Sequence, residues 1–251
     1  MSNTQSVAIV TGGSRGIGRA CALKLGKLGH LVVVNYASNA KAADEVVAAI
    51  VKSGGKAVAV AGDVSKEADV LALFAAADKL GQFKVLINNA GVMDTQARLD
   101  EMSAERFKRI FDINILGSFL CAREAVKRMS TKHGGTGGTI VNQSSAAAVL
   151  GAPGLGVEYA ASKCAMDGLT IGLGREVAAE GIRVNAVRPG IIDTDIHNSS
   201  GIPGRVKLMR DLIPIKREGS ADEVADVIVW LTSEQSSYVV GTIVAVAGGR
   251  C

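Results

Sequence analysis

Short apolar runs alternate along the chain with longer stretches in which apolar residues recur at helical spacing. Val7 to Thr11 reads as a first strand, Gly18 to Leu28 as a helix and Leu31 to Asn35 as a second strand. A helix over Ala40 to Ser53, a strand over Ala57 to Ala61, a helix over Glu67 to Leu80 and a strand over Val85 to Asn88 follow. Ser103 to Lys132 reads as one long helix, Thr139 to Gln143 as a strand, Val157 to Ala179 as a helix and Arg183 to Val187 as a strand. Beyond an irregular segment come a helix over Ala221 to Leu231 and a last strand over Ile243 to Val246. Strands that are apolar almost throughout, with helices between them, predict a parallel sheet covered on both faces. Right-handed crossovers make it a doubly wound, Rossmann-type α/β sheet.

Boundary signals agree with this division. Ser103 precedes the helix that carries Phe107, Ile110 and Phe111, and Ser220 with Glu223 has capping-box spacing. Gly134, Gly135, Gly137 and Gly138 form a turn before the strand at Thr139. Gly190 to Arg217, with Pro203 and Pro214, has no regular pattern, and a connection of that length reads as an active-site lid.

Composition narrows the class. The 251 residues suffice for one large core, so residues 1–251 are expected to form a single domain. A hydrophobic fraction of 48% with 30 glycines and 4 prolines suits a packed α/β protein with tight connections. The net charge of +4 is spread without a basic stripe, which argues against nucleic acid. The apolar runs are too short to span a bilayer, and the polar start at Met1 to Ser6 is no signal peptide. Cys21, Cys121, Cys164 and Cys251 lie far apart without metal-ligand spacing; the first three fall in predicted helices and read as small buried hydrophobes. A reduced, cytoplasmic setting and no metal are expected.

Two local patterns carry chemistry. Thr11-Gly12-Gly13-Ser14-Arg15-Gly16-Ile17-Gly18 lies between the first strand and the first helix. Small residues there let a backbone approach a pyrophosphate at a helix N-terminus, although the spacing is not the usual dinucleotide fingerprint. In Tyr159-Ala160-Ala161-Ser162-Lys163, the four-residue spacing puts phenol and ammonium on one helix face, roughly 6 Å apart at Cβ. A neighbouring ammonium favours phenolate and brings a group of pKa about 10 toward the working range. Together the two patterns point to hydride transfer.

The second strand ends in Asn35-Tyr36-Ala37-Ser38, with no carboxylate for an adenosine ribose. Arg15 offers a fork of donors to a 2′-phosphate, so NADP(H) is the expected cofactor. Asp63, followed by Val64, suits either the adenine amino group or a helix cap. Asn88-Asn89-Ala90-Gly91 follows the fourth strand as a turn or as a wall against the adenosine ribose.

With Asn114, Ser145 and Pro189-Gly190-Ile191-Ile192-Asp193-Thr194, these motifs stand in an order that resembles the short-chain dehydrogenase/reductase family, from about Ser6 to Gly249. The chain is similar to the bacterial branch containing 3-oxoacyl-(acyl carrier protein) reductases and glucose-1-dehydrogenase-like proteins. The resemblance implies Tyr159 as general acid/base and Lys163 as partner of the nicotinamide ribose. It implies Ser145, rather than its neighbour Ser144, as holder of the substrate oxygen, and Asn114 as part of a proton relay. Pro189, Gly190, Ile192 and Thr194 are implied to contact the carboxamide end of the nicotinamide. A homotetramer acting on a small carbonyl or alcohol is expected, with helix pairing and the apolar Val239 to Val246 as contacts.

Several positions stay open. Arg188 fits either an acidic partner or a substrate. His197 and Asn198 fit a surface or a polar substrate, and Met93 borders the pocket. Arg205, Lys207, Arg210, Lys216 and Arg217 form either a basic patch for an acyl carrier or a solvated face. Ser145 to Tyr159 spans one residue more than in many relatives. The alternatives to a general carbonyl reductase are a sugar dehydrogenase, a 3-oxoacyl thioester reductase, a quinone reductase or a non-catalytic NADP-binding protein.

Overall fold

The computed structural model describes residues 5–194 and 209–251. Its order begins β1 (Ser6–Val10), α1 (Gly16–Lys27), β2 (Leu31–Tyr36), α2 (Ala40–Lys52), β3 (Lys56–Ala61), α3 (Glu67–Asp78) and β4 (Gln82–Asn88). It continues with α4 (Ala104–Phe111), α5 (Gly117–Met129), β5 (Gly138–Gln143), α6 (Ala147–Leu150), α7 (Val157–Val177), β6 (Ile182–Pro189), α8 (Ala221–Thr232) and β7 (Ile243–Val246). The seven strands form one sheet in the order β3-β2-β1-β4-β5-β6-β7, every recorded pairing parallel.

Helices cover both faces, as the apolar strands require. On one face Leu25 of α1, Ile50 of α2 and Ile228 of α8 pack against Val10, Val34 and Ile87. On the other, Phe74 of α3, Met129 of α5 and Val177 of α7 pack against Ile9, Leu86 and Ile140. Successive residues of one strand feed opposite layers, as Ile9 and Val10 do, because side chains alternate across a sheet. The strand order reverses between β1 and β4, which opens a crevice at their carboxyl ends.

The long helix expected over Ser103 to Lys132 is broken. Ser103 caps α4 by accepting from Arg106 N at 3.3 Å, but Asp112–Leu116 then winds as a π turn before α5 begins. The turn swings Asn114 inward to 1% exposure. Apolar periodicity cannot reveal one extra residue per turn, whereas a polar residue between Ile113 and Ile115 is the local sign of it. The cap at Ser220 forms with its full reciprocal pair of bonds to Glu223.

Cys164 also departs from expectation. Cys21 and Cys121 are buried, and burial raises both thiols, Cys121 to about 12. Cys164 is exposed instead, one position past the buried Lys163, with Sγ donating to Ala148 O at 3.0 Å. No helix among the described residues is long and apolar enough to cross a membrane. His197, Asn198, Arg205 and Lys207, and with them the middle of the expected lid, lie outside the described residues.

Candidate active site

Two adjoining clefts open along the carboxyl edge of the sheet. The first runs beside the β1–α1 turn and the ends of β2, β3 and β4. It is lined by Gly12, Ser14, Arg15, Gly16, Ile17, Asn35, Tyr36, Asp63, Val64, Asn89, Ala90, Gly91 and Thr194, all expected from the sequence. Gly12 and Gly16 have φ of +59° and +52°, where a side chain is strained. At Gly18 a Cβ would lie 2.5 Å from both Asn89 Nδ2 and Gly12 O, so its role is close approach behind the cleft wall. The first turn of α1 holds no acid, and Arg15 at its N-cap makes no side-chain cap bond. The first-turn amides therefore have no acid of their own turn to meet, a setting that suits an anion.

Two asparagines expected at the cofactor line this cleft and also bind the protein. Asn35 Oδ1 accepts from Gly12 N at 3.3 Å, and its Nδ2 donates to Gly62 O at 3.0 Å and Val60 O at 3.3 Å. Asn89 Nδ2 donates to Thr11 O at 2.8 Å and Gly12 O at 3.0 Å. These side chains fix the shape of the glycine turn, whose peptide groups need partners. Asp63 Oδ1 takes Ser65 N at 3.0 Å and Ser65 Oγ at 2.7 Å, so it orders the turn before α3 while lining the cleft. Tyr36, Ala37, Ser38 and Asn39 complete the far wall, and Asp63 is the only carboxylate among the described lining residues.

The second cleft contains Tyr159, Ser144, Ser145, Pro189, Gly190, Ile192 and Thr194, with Met93, Leu150, Leu155 and Met209 among its apolar walls. β5 and α7 position its reactive groups. Ser144 is buried and its Oγ donates to Lys163 O at 3.1 Å. Ser145 Oγ accepts from Ala147 N at 3.1 Å, which leaves its hydroxyl hydrogen to donate elsewhere. The adjacent serines thus divide into one that pins α7 and one that faces the cleft.

Lys163 lies one helical turn after Tyr159 with Nζ 5.7 Å from the centre of the phenol ring. Nζ donates to Gln143 O at 2.8 Å. At Gly91, which lines the first cleft, a Cβ would lie 3.3 Å from Asn114 Oδ1 and 3.4 Å from Lys163 Nζ, so that glycine leaves room for both side chains. Burial pushes the Lys163 ammonium down to about 8, against the pull of the Asp167 charge. Asn114 binds both backbone groups of Val92, accepting from N at 2.8 Å and donating to O at 2.9 Å. Its Nδ2 also reaches Ser162 Oγ at 3.0 Å, which in turn donates to Tyr159 O at 2.7 Å. The π turn is thereby tied to the helix that carries the tyrosine.

Three further residues escaped the sequence reading. Gln143 supplies the acceptor for Lys163, while Glu158 and Arg250 line the second cleft. Gln143 and Glu158 stand near Ser145 and Tyr159 in the chain but carry no spacing signal of their own, and Arg250 reaches the site only through the packing of a distant segment. Arg188, left open above, has an acidic partner: it pairs with Asp167 at 2.7 Å. Of the five residues that suggested a basic patch, Arg210 pairs with Glu218 and Arg217 with Glu223. Lys216 Nζ donates to Asp211 O at 3.0 Å. No His, Cys, Asp or Glu group among the described residues has the arrangement to hold a metal ion.

Comparison with known proteins places this arrangement in context. A family model described as Enoyl-(Acyl carrier protein) reductase matches residues 12–250. The uncharacterized oxidoreductase YgfF of Escherichia coli (strain K12) is 53% identical over 246 residues, which cover 98% of this chain and 100% of that protein. Glucose 1-dehydrogenase 2 of Bacillus subtilis (strain 168) is 40% identical, with 98% of this chain and 95% of the relative covered. A 3-oxoacyl-[acyl-carrier-protein] reductase of a Synechocystis strain is also 40% identical, covering 98% and 97%. Among solved structures, a dehydrogenase/reductase from Sinorhizobium meliloti 1021 superposes with a TM-score of 0.89 at 32% identity, covering 98% of this chain and 94% of that one. A mutant short-chain dehydrogenase/reductase of Serratia marcescens does so with 0.87 at 31% identity, covering 98% and 97%.

Proposed function

The chain belongs to the short-chain dehydrogenase/reductase family of oxidoreductases, and from that premise we propose that it transfers hydride between NADP(H) and a small carbonyl or secondary alcohol. The observation that carries this reading is the adjacency of Tyr159 and Ser145 in one cleft to a glycine-walled groove in the next, with Ile17, Gln143 and Thr194 lining both and Lys163 Nζ bonded to Gln143 O. Gly12, Gly16 and the uncapped start of α1 fit a pyrophosphate. Arg15 and the acid-free end of β2 favour a 2′-phosphate.

When bound, the reduced nicotinamide supplies the hydride that becomes the new C–H bond at the carbonyl carbon. Ser145 donates to the carbonyl oxygen as its negative charge develops, and one such donor contributes about 3 to 4 kcal/mol to a transition state. Tyr159 gives that oxygen its proton, so the carbonyl is reduced to an alcohol while the cofactor is oxidised. The Lys163 ammonium stabilises the phenolate left behind and holds the ribose, and Asn114 orders the backbone at Val92 along the path of proton return. In the opposite direction Tyr159 is the base.

Within this reading, residues 1–251 are one catalytic domain with a lid over about 190–217, and the protein resides in the cytoplasm, where its four free cysteines stay reduced. It is a homotetramer: Phe111, Leu116 and Phe119 on the α4–α5 segment are 36%, 45% and 45% exposed, an apolar strip suited to pairing with a second copy. A small substrate is favoured over one carried by an acyl carrier protein, because Arg210 and Arg217 are matched by Glu218 and Glu223. The test is a cofactor-oxidation screen over ketones, sugars, quinones and acyl thioesters with NADPH and with NADH. Turnover of small carbonyls with NADPH is expected, and absence of turnover across the whole screen would overturn the reading.

A further inference from the structure

Three charged side chains line the cleft that holds Tyr159 and Ser145: Asp94, Glu158 and Arg250. The two acids are matched within the protein. Asp94 pairs with Arg109, and bonds from Thr95 and Arg109 hold its carboxyl below the usual range despite partial burial. Glu158 Oε1 takes Nε and Nη2 of Arg106 at 2.9 Å and 2.6 Å, in a pair almost closed to water.

Arg250 is different. Its guanidinium has neither an ion pair nor a hydrogen bond among the described residues, although the side chain is only half-exposed. Its surroundings in the cleft are largely apolar, with Leu150, Leu155, Ile191 and Met209 on the same walls. The backbone beneath it is firmly placed. Arg250 N donates to Ala247 O at 3.2 Å, and Ala247 presses on Gly190, where a Cβ would lie 2.7 Å from Ala247 Cα. The adjacent Gly249 packs its backbone on Pro214.

A guanidinium stays protonated at every working pH and presents donors in a planar fork matched to carboxylate and phosphate. Among the described residues, two matched acids and one unmatched arginine leave the cleft with a net positive charge, and low-dielectric walls strengthen its pull on an anion. A neutral ketone, sugar or quinone offers this cation uncharged acceptors but no counter-charge. We infer that Arg250 is a substrate-recognition residue, and that the cleft selects carbonyl compounds bearing a carboxylate or phosphate group. The inference rests on the oxidoreductase reading of the same site and narrows its substrate class.

The experiment is NADPH-oxidation kinetics on matched pairs. Oxo acids of increasing chain length are each set against their methyl ester, and dihydroxyacetone phosphate against dihydroxyacetone, so the carboxylate and phosphate arms are read separately. In the wild type at least one anionic compound is expected to exceed its neutral partner by about 10- to 100-fold in kcat/KM, the range of a charge-assisted bond. Arg250→Gln is expected to bring that ratio close to one, mainly through KM, and Arg250→Lys to keep part of it. Circular dichroism and NADPH titration show whether each variant folds and loads its cofactor. Reduction of neutral carbonyls without preference for any anionic partner would overturn the inference and leave the oxidoreductase reading standing, as would a preference that survives in Arg250→Gln. If neither kind of compound is reduced by the wild type with NADPH or with NADH, the proposed activity on small carbonyls fails and the inference falls with it.

Discussion

Arg188 closes on a single oxygen of Asp167, with Nε at 3.1 Å and Nη2 at 2.7 Å from Oδ2. The second oxygen, Oδ1, is buried without a hydrogen-bond partner. Asp167 stands one helical turn beyond Lys163 and acts on it through its charge. The bulky cation before Pro189 is thus the counter-ion of a carboxylate that β6 and α7 enclose together. Arg188→Ala is expected to lower stability by about 2 to 4 kcal/mol, since it leaves a largely buried charge uncompensated. Asp167→Asn keeps an acceptor for the guanidinium and is expected to cost less. Denaturant midpoints for the two variants check the order.

Lys163 makes stability depend on alkaline pH in a definite direction. Its folded value of about 8 lies below the ordinary 10.5 because burial disfavours the ammonium. Below pH 8 both folded and unfolded chains carry the proton, and the folded state bears the full cost of a buried charge. Between pH 8 and 10.5 the unfolded chain binds more protons, so this residue's contribution to stability improves as pH rises. Lys163→Met is therefore expected to be more stable than wild type at pH 7, by up to about 3 kcal/mol. The advantage should shrink on going from pH 8 to 10.5. Melting temperatures of both proteins at pH 7 and pH 10 give the comparison, and an equal gap at the two values would disprove the assignment.

Tyr159→Phe is expected to cut turnover by about 100- to 10,000-fold while cofactor affinity stays near wild type, since only the proton donor is lost. Lys163→Ala should reduce both turnover and affinity, because one ammonium serves the phenol and the ribose. Steady-state kinetics beside fluorescence titration of NADPH separates the two effects. Near wild-type turnover in the phenylalanine variant would sink the mechanism.

At the other end of the groove, wild type should give a higher kcat/KM with NADPH than with NADH. Tyr36→Asp places a carboxylate where the lining of β2 has none and should erode that preference by repelling the 2′-phosphate. Equal values for the two cofactors in the unaltered protein would show that Arg15 has no such role.

Much of the framework was legible because buried parallel strands are apolar on both faces, so β1 and β2 stand out as apolar runs. The first cleft was legible for a related reason: each strand delivers its last residues to one edge, where Tyr36 ends β2 and Gly12, Asp63 and Asn89 follow β1, β3 and β4. What stayed hidden depends on distances between elements. Nothing around Arg188 names Asp167, which sits 21 residues earlier on the neighbouring helix. Glu158 and Arg250 reach one cleft from segments far apart in the chain. The bonds of Asn35, which accepts from Gly12 N, and of Asn89, which donates to Thr11 O, likewise answer backbone groups that only the folded turn exposes.

The π turn at Asp112–Leu116 sets a constraint of a different sort. It holds one residue more than an α-helical path between the same ends needs, and that surplus turns Asn114 toward Val92 and Ser162. Deleting one of the five would let the segment rewind as continuous α-helix between the same ends, and the inward swing that brings Asn114 to Val92 and Ser162 would be lost. In this stretch the inheritance that matters is arithmetic: the residue that a plain helix would leave out is the one that turns Asn114 inward.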